Sequence, residues 1–276
     1  MNTDIIILAA GKGTRMHSSL PKVLQVLGHK PLLQHVIDTC LDIQKSKLHI
    51  VVGDQKELVK KSVTVPKNTN WVNQPKQLGT GHAVKQVLKA LRPNACCIVL
   101  YGDGPLVNST TLKKIINSVK KDSLSLLTFE PQSPKGLGRI IRNNKNQVVG
   151  IVEEKDASPK QKLIGEVNSG IMAALGKSLQ KRVPKIKNNN VAKEYYLTDL
   201  VGLFSADAQK ITALNLGLSN EPLGANDNVE LNHLERAYQK IQAEAFAKKG
   251  VKFADLNRVD FRGEIDIKKN TFIDIN

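Results

Sequence analysis

Aromatic side chains are scarce in this 276-residue chain: they make up 4% of it, with a single tryptophan, and no tract interleaves them with basic residues. That scarcity weighs against nucleic-acid binding, which sets stacked rings beside cations, even though the formal net charge is +16. The lysines are spread rather than clustered, so most of the charge belongs to solvated faces and the rest can steer an anionic ligand inward. No stretch of about 18 consecutive apolar residues occurs, which excludes a membrane-spanning helix. The N-terminus enters a strand pattern at once, with no basic region or long apolar region before it, so a cytoplasmic rather than secreted protein is expected. The three cysteines, Cys40 and the adjacent Cys96 and Cys97, offer no zinc spacing and read as buried small hydrophobes. The six histidines are scattered, with no H-E-x-x-H pair.

What is present begins with LAAGKGTRMHSSLP (Leu8 to Pro21) and Lys22, directly after the apolar run Ile5 to Leu8. A strand that feeds a glycine-rich loop carrying Lys12, Arg15 and Lys22 is suited to phosphate. Backbone N–H groups approach an anion closely where glycine removes the Cβ, and the cations neutralise what remains. Two better-known phosphate loops are excluded by the letters. The Walker pattern is absent, and the dinucleotide pattern that starts at Gly11 and Gly13 meets Met16 where its third glycine belongs.

Apolar runs then alternate with helical patterns. Helices are expected after Pro31, over 54–63, 81–91 and 110–120, and strands over 48–52, 71–72, 95–101 and 124–129. This alternation predicts a mostly parallel sheet covered on both faces, with ligands held beyond the carboxyl ends of its strands. Gly11–Lys22 and Gly102–Asp103 both fall at that edge. From Gly136 to Ala174 the texture changes to short β-like pieces with polar turns, as in a substrate-binding insertion. A helix is expected over 196–205 and a long amphipathic one over 226–249, with Asp227 as a first-turn acid. Beyond Gly250, Phe261, Ile267 and Ile273 recur every six positions, the period of a hexapeptide β-helix.

Four further pieces carry polar groups in suggestive places. Gln74 and QLGTGHA (Gln77 to Ala83) stand at a helix start, suited to reading a base edge. Tyr101-Gly102-Asp103 puts a carboxylate at a strand end, where it can hold Mg²⁺. Glu153, Asn168 and Thr198 are polar residues in otherwise apolar or turn settings, and Asn226 adds a neutral oxygen. Singly, each reads as a turn residue, a cap or a solvated charge. Their joint occurrence in order is harder to dismiss.

With YGD-x-PL, G-x-GRI, GIVEEKDA, EVNSGI, EYYLTDL and GAND…LERAYQ, the chain resembles the uridylyltransferase domain of bacterial N-acetylglucosamine-1-phosphate uridylyltransferases. In the usual bifunctional enzyme a left-handed β-helix acetyltransferase follows that domain. The resemblance implies an α/β, Rossmann-like nucleotidyltransferase domain with a mostly parallel sheet over residues 1–226. A linker helix over 227–250 and the first partial coil of a left-handed β-helix over 251–276 would follow. It implies Mg²⁺-dependent uridylyl transfer from UTP to N-acetylglucosamine 1-phosphate, giving UDP-N-acetylglucosamine and pyrophosphate for cell-wall precursors. Leu8, Ala9, Ala10, Gly11, Gln74, Gly79 and Thr80 would hold the nucleotide, with Tyr101 and Gly102 lining the site. Arg15 and Lys22 would face the phosphates, Asp103 and Asn226 would bind Mg²⁺, and Gly138, Glu153, Asn168 and Thr198 would contact the amino sugar. Gly104 and Leu137 depart from the family pattern, where valine and tyrosine are usual. With scarcely one β-helix coil, neither acetyl transfer nor the usual trimer is expected, and the oligomeric state stays open. The competing expectations are transfer to another sugar phosphate, such as glucose 1-phosphate, or a catalytically weak nucleotide-sugar-binding homologue.

Overall fold

β1 (Thr3–Ala9) is apolar at five of its seven positions and buried along its whole length, as a strand covered on both faces requires. It leads through the glycine loop and a small hairpin, β2 (Val26–Leu27) and β3 (Lys30–Pro31), into α1 (Leu32–Leu41). There follow β4 (Ser46–Val52), α2 (Lys56–Lys61), β5 (Asn70–Asn73), α3 (Thr80–Val87), β6 (Cys96–Tyr101), α4 (Ser109–Ser118) and β7 (Leu124–Phe129). The computed structural model describes residues 2–11 and 13–275. Lys12, expected among the loop cations, lies outside the described residues.

Among the described residues the central sheet has nine strands. After β7 the chain adds the hairpin β8 (Arg139–Arg142) and β9 (Val148–Val152), the short α5 (Pro159–Lys162) and β10 (Val167–Leu175). α6 (Gly176–Arg182), α7 (Asp199–Ala206) and β11 (Ile211–Asn215) complete it. The order is β11-β7-β10-β6-β1-β4-β5, with the β8–β9 hairpin attached to β10. All neighbours along that order are parallel except β10, which runs antiparallel to both β6 and β7. The reversal matters for function. The beginning of β10, where Asn168 stands, therefore meets the ends of β6 and β7 at one sheet edge. α1 and α4 cover one face and α3 and α7 the other, and Cys96 and Cys97 point into these two separate cores. Burial pushes the Cys96 thiol up to about 12 and raises those of Cys40 and Cys97 as well, so all three are inert apolar fillers.

α8 (Asn228–Lys248) runs for 21 residues, and Asp227 stands one position before it as the N-cap. The Asp227 carboxylate accepts the backbone N–H groups of Val229 and Glu230, so its role is capping, not that of the first-turn acid expected from the pattern. The helix is fastened to the β2–β3 hairpin. Leu234 packs with Leu27, Leu32 and Ala225, the Gly28 N–H donates to Glu235 at 2.8 Å, and Tyr238 meets His35 edge-on at 5.2 Å. That fastening fixes the helix start, and so Asn226, beside the glycine loop. Past the helix, β12 (Lys252–Phe253) pairs in parallel with β13 (Phe272–Ile273). Phe261 is buried against Phe246 and Phe253, its backbone bracketed by the Gln239 amide.

Candidate active site

The glycine loop folds back on Lys22 because Gly13 lacks a side chain. Its φ is +61°, and a Cβ there would lie 2.6 Å from the Lys22 Cβ. Arg15 Nη2 donates to Asn226 Oδ1 at 3.0 Å, and Lys22 Nζ donates to the same oxygen at 3.2 Å. The Lys22 ammonium is also paired with the Asp103 carboxylate. Glu230 sets the amide's direction, since its carboxylate accepts both Asn226 Nδ2 and the Asn226 backbone N–H, leaving Oδ1 turned to the cations. The backbone of Gly224 runs so close to Asp103 that a Cβ would meet its carboxylate at 3.1 Å. Arg15, Lys22, Asp103 and Asn226, spread over 211 positions of sequence, are one cluster.

Tyr101 stands beside it. The strand pairing sets Leu8 opposite Tyr101, and the Gly102 N–H donates to the Leu8 carbonyl at 3.0 Å. The Tyr101 ring rests on the bare backbone of Gly170, where a Cβ would lie 1.9 Å from Cε2. Burial, then the nearby carboxylates of Glu153 and Asp103, raise the phenol's pKa, while the Thr80 hydroxyl opposes the shift. The phenol is therefore neutral across the physiological range and keeps its proton to donate.

A second cluster forms on the insertion. The Thr198 hydroxyl donates to Glu153 Oε1 at 2.8 Å, and Gly138 lies so near that a Cβ would stand 3.3 Å from Glu153 Oε2. The Asn168 backbone N–H donates to the Gly138 carbonyl at 2.8 Å. Asn168 Oδ1 is buried and accepts no hydrogen bond among the described residues. A buried acceptor without a donor is costly unless a ligand supplies one. Burial pushes the Glu153 carboxyl up, the Thr198 hydroxyl draws it down, and Asp156, Asp199 and Glu194 add to the rise.

That rise has a measurable consequence. A carboxyl whose folded pKa lies above its ordinary 4.5 binds its proton more tightly when folded. Its contribution to stability is complete below the ordinary value and is lost as pH rises through the raised one. Glu153→Gln keeps an oxygen for the Thr198 hydroxyl and removes the charge. The variant should melt higher than the parent at pH 8, with the gap closing toward pH 4. Equal melting temperatures at both pH values would refute this account of Glu153.

The third group lies at the start of α3. Gln74 is 3% exposed, and its Nε2 already donates to the Gly79 carbonyl at 3.2 Å and sits 3.1 Å from His82 Nδ1. The amide thus fixes the helix entry and has its Oε1 left over. Thr80 Oγ1 accepts the Leu197 N–H at 3.0 Å, and the Gly81 N–H donates to the Tyr195 carbonyl at 2.7 Å, so this loop is tied to the segment that carries Thr198. Gly79 has φ +105° and could not carry a Cβ against the Tyr195 backbone. Beside Ala9, Ala10 and Gly11 opens a cavity of about 210 Å³, lined also by Gly53, Gln55 and Gln77.

Sequence reasoning missed Glu230, which looked like helix charge, and Gly170, although an isolated glycine inside a strand is a signal of a bulge or a close approach. The β10–β7 pairing does shift register between Asn168 and Met172, around a Gly170 φ of +81°. Gly104 is less consequential. A Cβ there would meet its nearest atoms at 3.9 Å, an ordinary contact, so the backbone does not require glycine. No three of His, Cys, Asp and Glu gather anywhere among the described residues.

The chain is 45% identical over 273 residues to the bifunctional protein GlmU of Cellvibrio japonicus and 46% identical over 277 to that of Nitrosomonas eutropha. These alignments take in 99% and 100% of this chain but 60% of each relative, so the chain spans about three-fifths of their length. The fold is shared with a nucleotidyl transferase from Methanothermobacter thermautotroptrophicus at a TM-score of 0.63 and 16% identity, over 87% of this chain and 99% of that one. The model of the MobA-like NTP transferase domain matches residues 5–179, the stretch that holds the glycine loop, Asp103, Glu153 and Asn168, and the chain belongs to that family.

Proposed function

We propose that this chain transfers the uridylyl group of UTP to N-acetylglucosamine 1-phosphate, releasing pyrophosphate. The observation that carries the reading is the convergence of Arg15 and Lys22 on the oxygens of Asp103 and Asn226, next to a separate Glu153–Thr198–Asn168 cluster with Tyr101 beside both. Cations suit phosphates, and a buried acceptor without a donor suits an amide or hydroxyl of a sugar. Similarity along almost the whole of this chain to three-fifths of each GlmU protein supports this substrate pair.

The attacking group is an oxygen of the sugar phosphate, already mostly dianionic near neutral pH because its second pKa is about 6. It bonds to the α-phosphorus as the bond to pyrophosphate breaks, so no protein base is needed. What the chain must provide is alignment and charge neutralisation, and Arg15 and Lys22 supply positive charge at the phosphates. A hard divalent cation fits the same place. Asp103 and Asn226 present their oxygens to one point, where the Lys22 ammonium now sits as a stand-in cation. Such an ion, Mg²⁺ by the chemistry of one carboxylate and one amide, would neutralise phosphate charge when bound. Leu8 to Gly11, Gly79, Thr80 and the free Oε1 of Gln74 would take the nucleotide. Gly138, Glu153, Asn168 and Thr198 would take the amino sugar.

Residues 1–226 form the transferase unit in this reading. α8 would be the linker and residues 251–276 the first partial coil of a left-handed β-helix, a reading supported by the parallel pairing of β12 with β13. No helix among the described residues is long and apolar enough to cross a membrane. The test is pyrophosphate release with UTP, dTTP and ATP against N-acetylglucosamine, glucosamine and glucose 1-phosphates. UTP with N-acetylglucosamine 1-phosphate should be the fastest pair, and a preference for dTTP with glucose 1-phosphate would overturn the assignment.

A further inference from the structure

Arg139 is among the largest fully buried side chains of the protein, at 2% exposure, and no step of the proposed reaction uses it. A buried guanidinium costs several kcal/mol in lost hydration unless it is paired and hydrogen-bonded. Its partners all lie around the sugar cluster. Arg139 Nη2 pairs with Glu154 at 2.8 Å, Nη1 donates to the Leu137 carbonyl, and Nη2 reaches the Lys162 carbonyl at the end of α5 at 3.4 Å. Nε has no partner among the described residues.

Glu154 completes the clamp by accepting the Gly136 N–H at 3.1 Å. One carboxylate and one guanidinium thereby hold the first two residues of the Gly136–Gly138 loop, Gly136 through Glu154 and Leu137 through Arg139. The start of that loop has one further tie among the described residues, the Leu137 N–H donating to the Pro134 carbonyl at 3.2 Å. Gly136 has φ +82° and no atom within 4 Å of where a Cβ would be. The end of the loop, Gly138, is pressed against Ile151 and Glu153 with no room for a side chain. Its carbonyl accepts the Asn168 N–H, so a loop that drifts would take Gly138 off Glu153 and loosen Asn168 together. The Gly136 N–H, followed by Arg139 and Lys162, holds the Glu154 carboxyl below its ordinary range, so the clamp stays charged through neutral pH.

We propose that Arg139 and Glu154 are positioning residues for the sugar half of the site, clamping the Gly136–Gly138 loop so that Gly138 closes over Glu153. The inference rests on the reading of Gly138, Glu153, Asn168 and Thr198 as the sugar contacts. It adds a specificity element that works without touching substrate, through a loop in which Leu137 contributes its carbonyl.

The experiment measures KM and kcat separately for the sugar phosphate and for the nucleotide in Arg139→Met and Glu154→Gln, with melting curves. Glu154→Gln is the milder change, because it sits at the more exposed end of the clamp and keeps an oxygen for the Gly136 N–H, and it carries the test if Arg139→Met does not fold. The expected result is a sugar-phosphate KM raised about tenfold, with the nucleotide KM within twofold of the parent. Arg139→Lys should recover part of the loss by restoring the charge beside Glu154. Unchanged KM values in a folded variant would overturn the proposal, and so would an equal rise for both substrates, which would mark the pair as general scaffolding. If the parent protein binds and turns over no sugar 1-phosphate, the substrate reading itself fails and the clamp fails with it, an outcome distinct from an active parent with an indifferent clamp.

Discussion

Asp103→Asn should lower turnover by about a thousandfold while the protein stays folded, the scale seen when one preorganised charge-stabilising group is removed. Asp103 stands two residues past the apolar strand β6, and its carboxylate pairs with the Lys22 ammonium. Asparagine keeps the shape and an oxygen but removes the formal negative charge that Asp103 would bring to the cation. The fold should survive because Lys22 keeps its hydrogen bond to Asn226 at 3.2 Å. Lys22→Ala should also be slow, but through lost contact with phosphate. Excess Mg²⁺ should therefore restore Asn226→Ala more than it restores Lys22→Ala. The measurement is pyrophosphate release across a Mg²⁺ titration, with thermal melting as the folding control. Near-normal turnover by folded Asp103→Asn would mean that the metal ligand has been misassigned.

The second large effect is structural. Gly170→Ala should destabilise the protein by roughly 2–5 kcal/mol, combining the left-handed backbone cost with overpacking. The added methyl would lie 1.9 Å from Tyr101 Cε2 and 2.5 Å from Cδ2, on a backbone with φ +81°. Neither side can give way cheaply. β10 is hydrogen-bonded on both edges, and the Tyr101 ring is closed in beside Glu153 and Thr80. A loss of that size is a large part of the stability of an ordinary domain. Denaturant unfolding of the single variant and of the double variant Tyr101→Ala/Gly170→Ala separates the two terms. The double variant should be less destabilised than the sum of the singles, because the clash is gone. A change below 0.5 kcal/mol in Gly170→Ala would remove the argument that this glycine seats the ring.

The first half of the chain was legible because its strands and helices announce themselves by period. Leu124–Phe129 is a strand at the expected residues, and α1 begins directly after Pro31, as the pattern predicted. The reversed direction of β10 was not legible, since alternation and burial look the same whichever way a strand runs. β11 escaped notice for a related reason, its five residues being too short and too exposed to stand out. Residue types at the site were readable from the motifs, yet their contacts were not. The sequence did not tell that the Lys22 ammonium would rest on Asp103 and Asn226 in the ligand-free protein. Nor did it tell that the Gln74 amide NH₂ would bond the Gly79 carbonyl and approach His82. Glu230 could not be told from ordinary helix charge until Asn226 was seen against it.

The antiparallel placement of β10 also bears on how the protein folds. β7 and β11 share no ladder with β6, β1, β4 and β5 except through β10, which also anchors the β8–β9 hairpin. A chain in which the early strands have already collapsed still lacks that bridge. Asp103 then belongs to one block and Glu153 to another, joined by nothing but the connecting chain. Such long-range pairing is slow to form because loop closure precedes its reward. Regain of activity during refolding should accordingly lag behind regain of helical signal, and the catalytic assay reports the insertion of one strand.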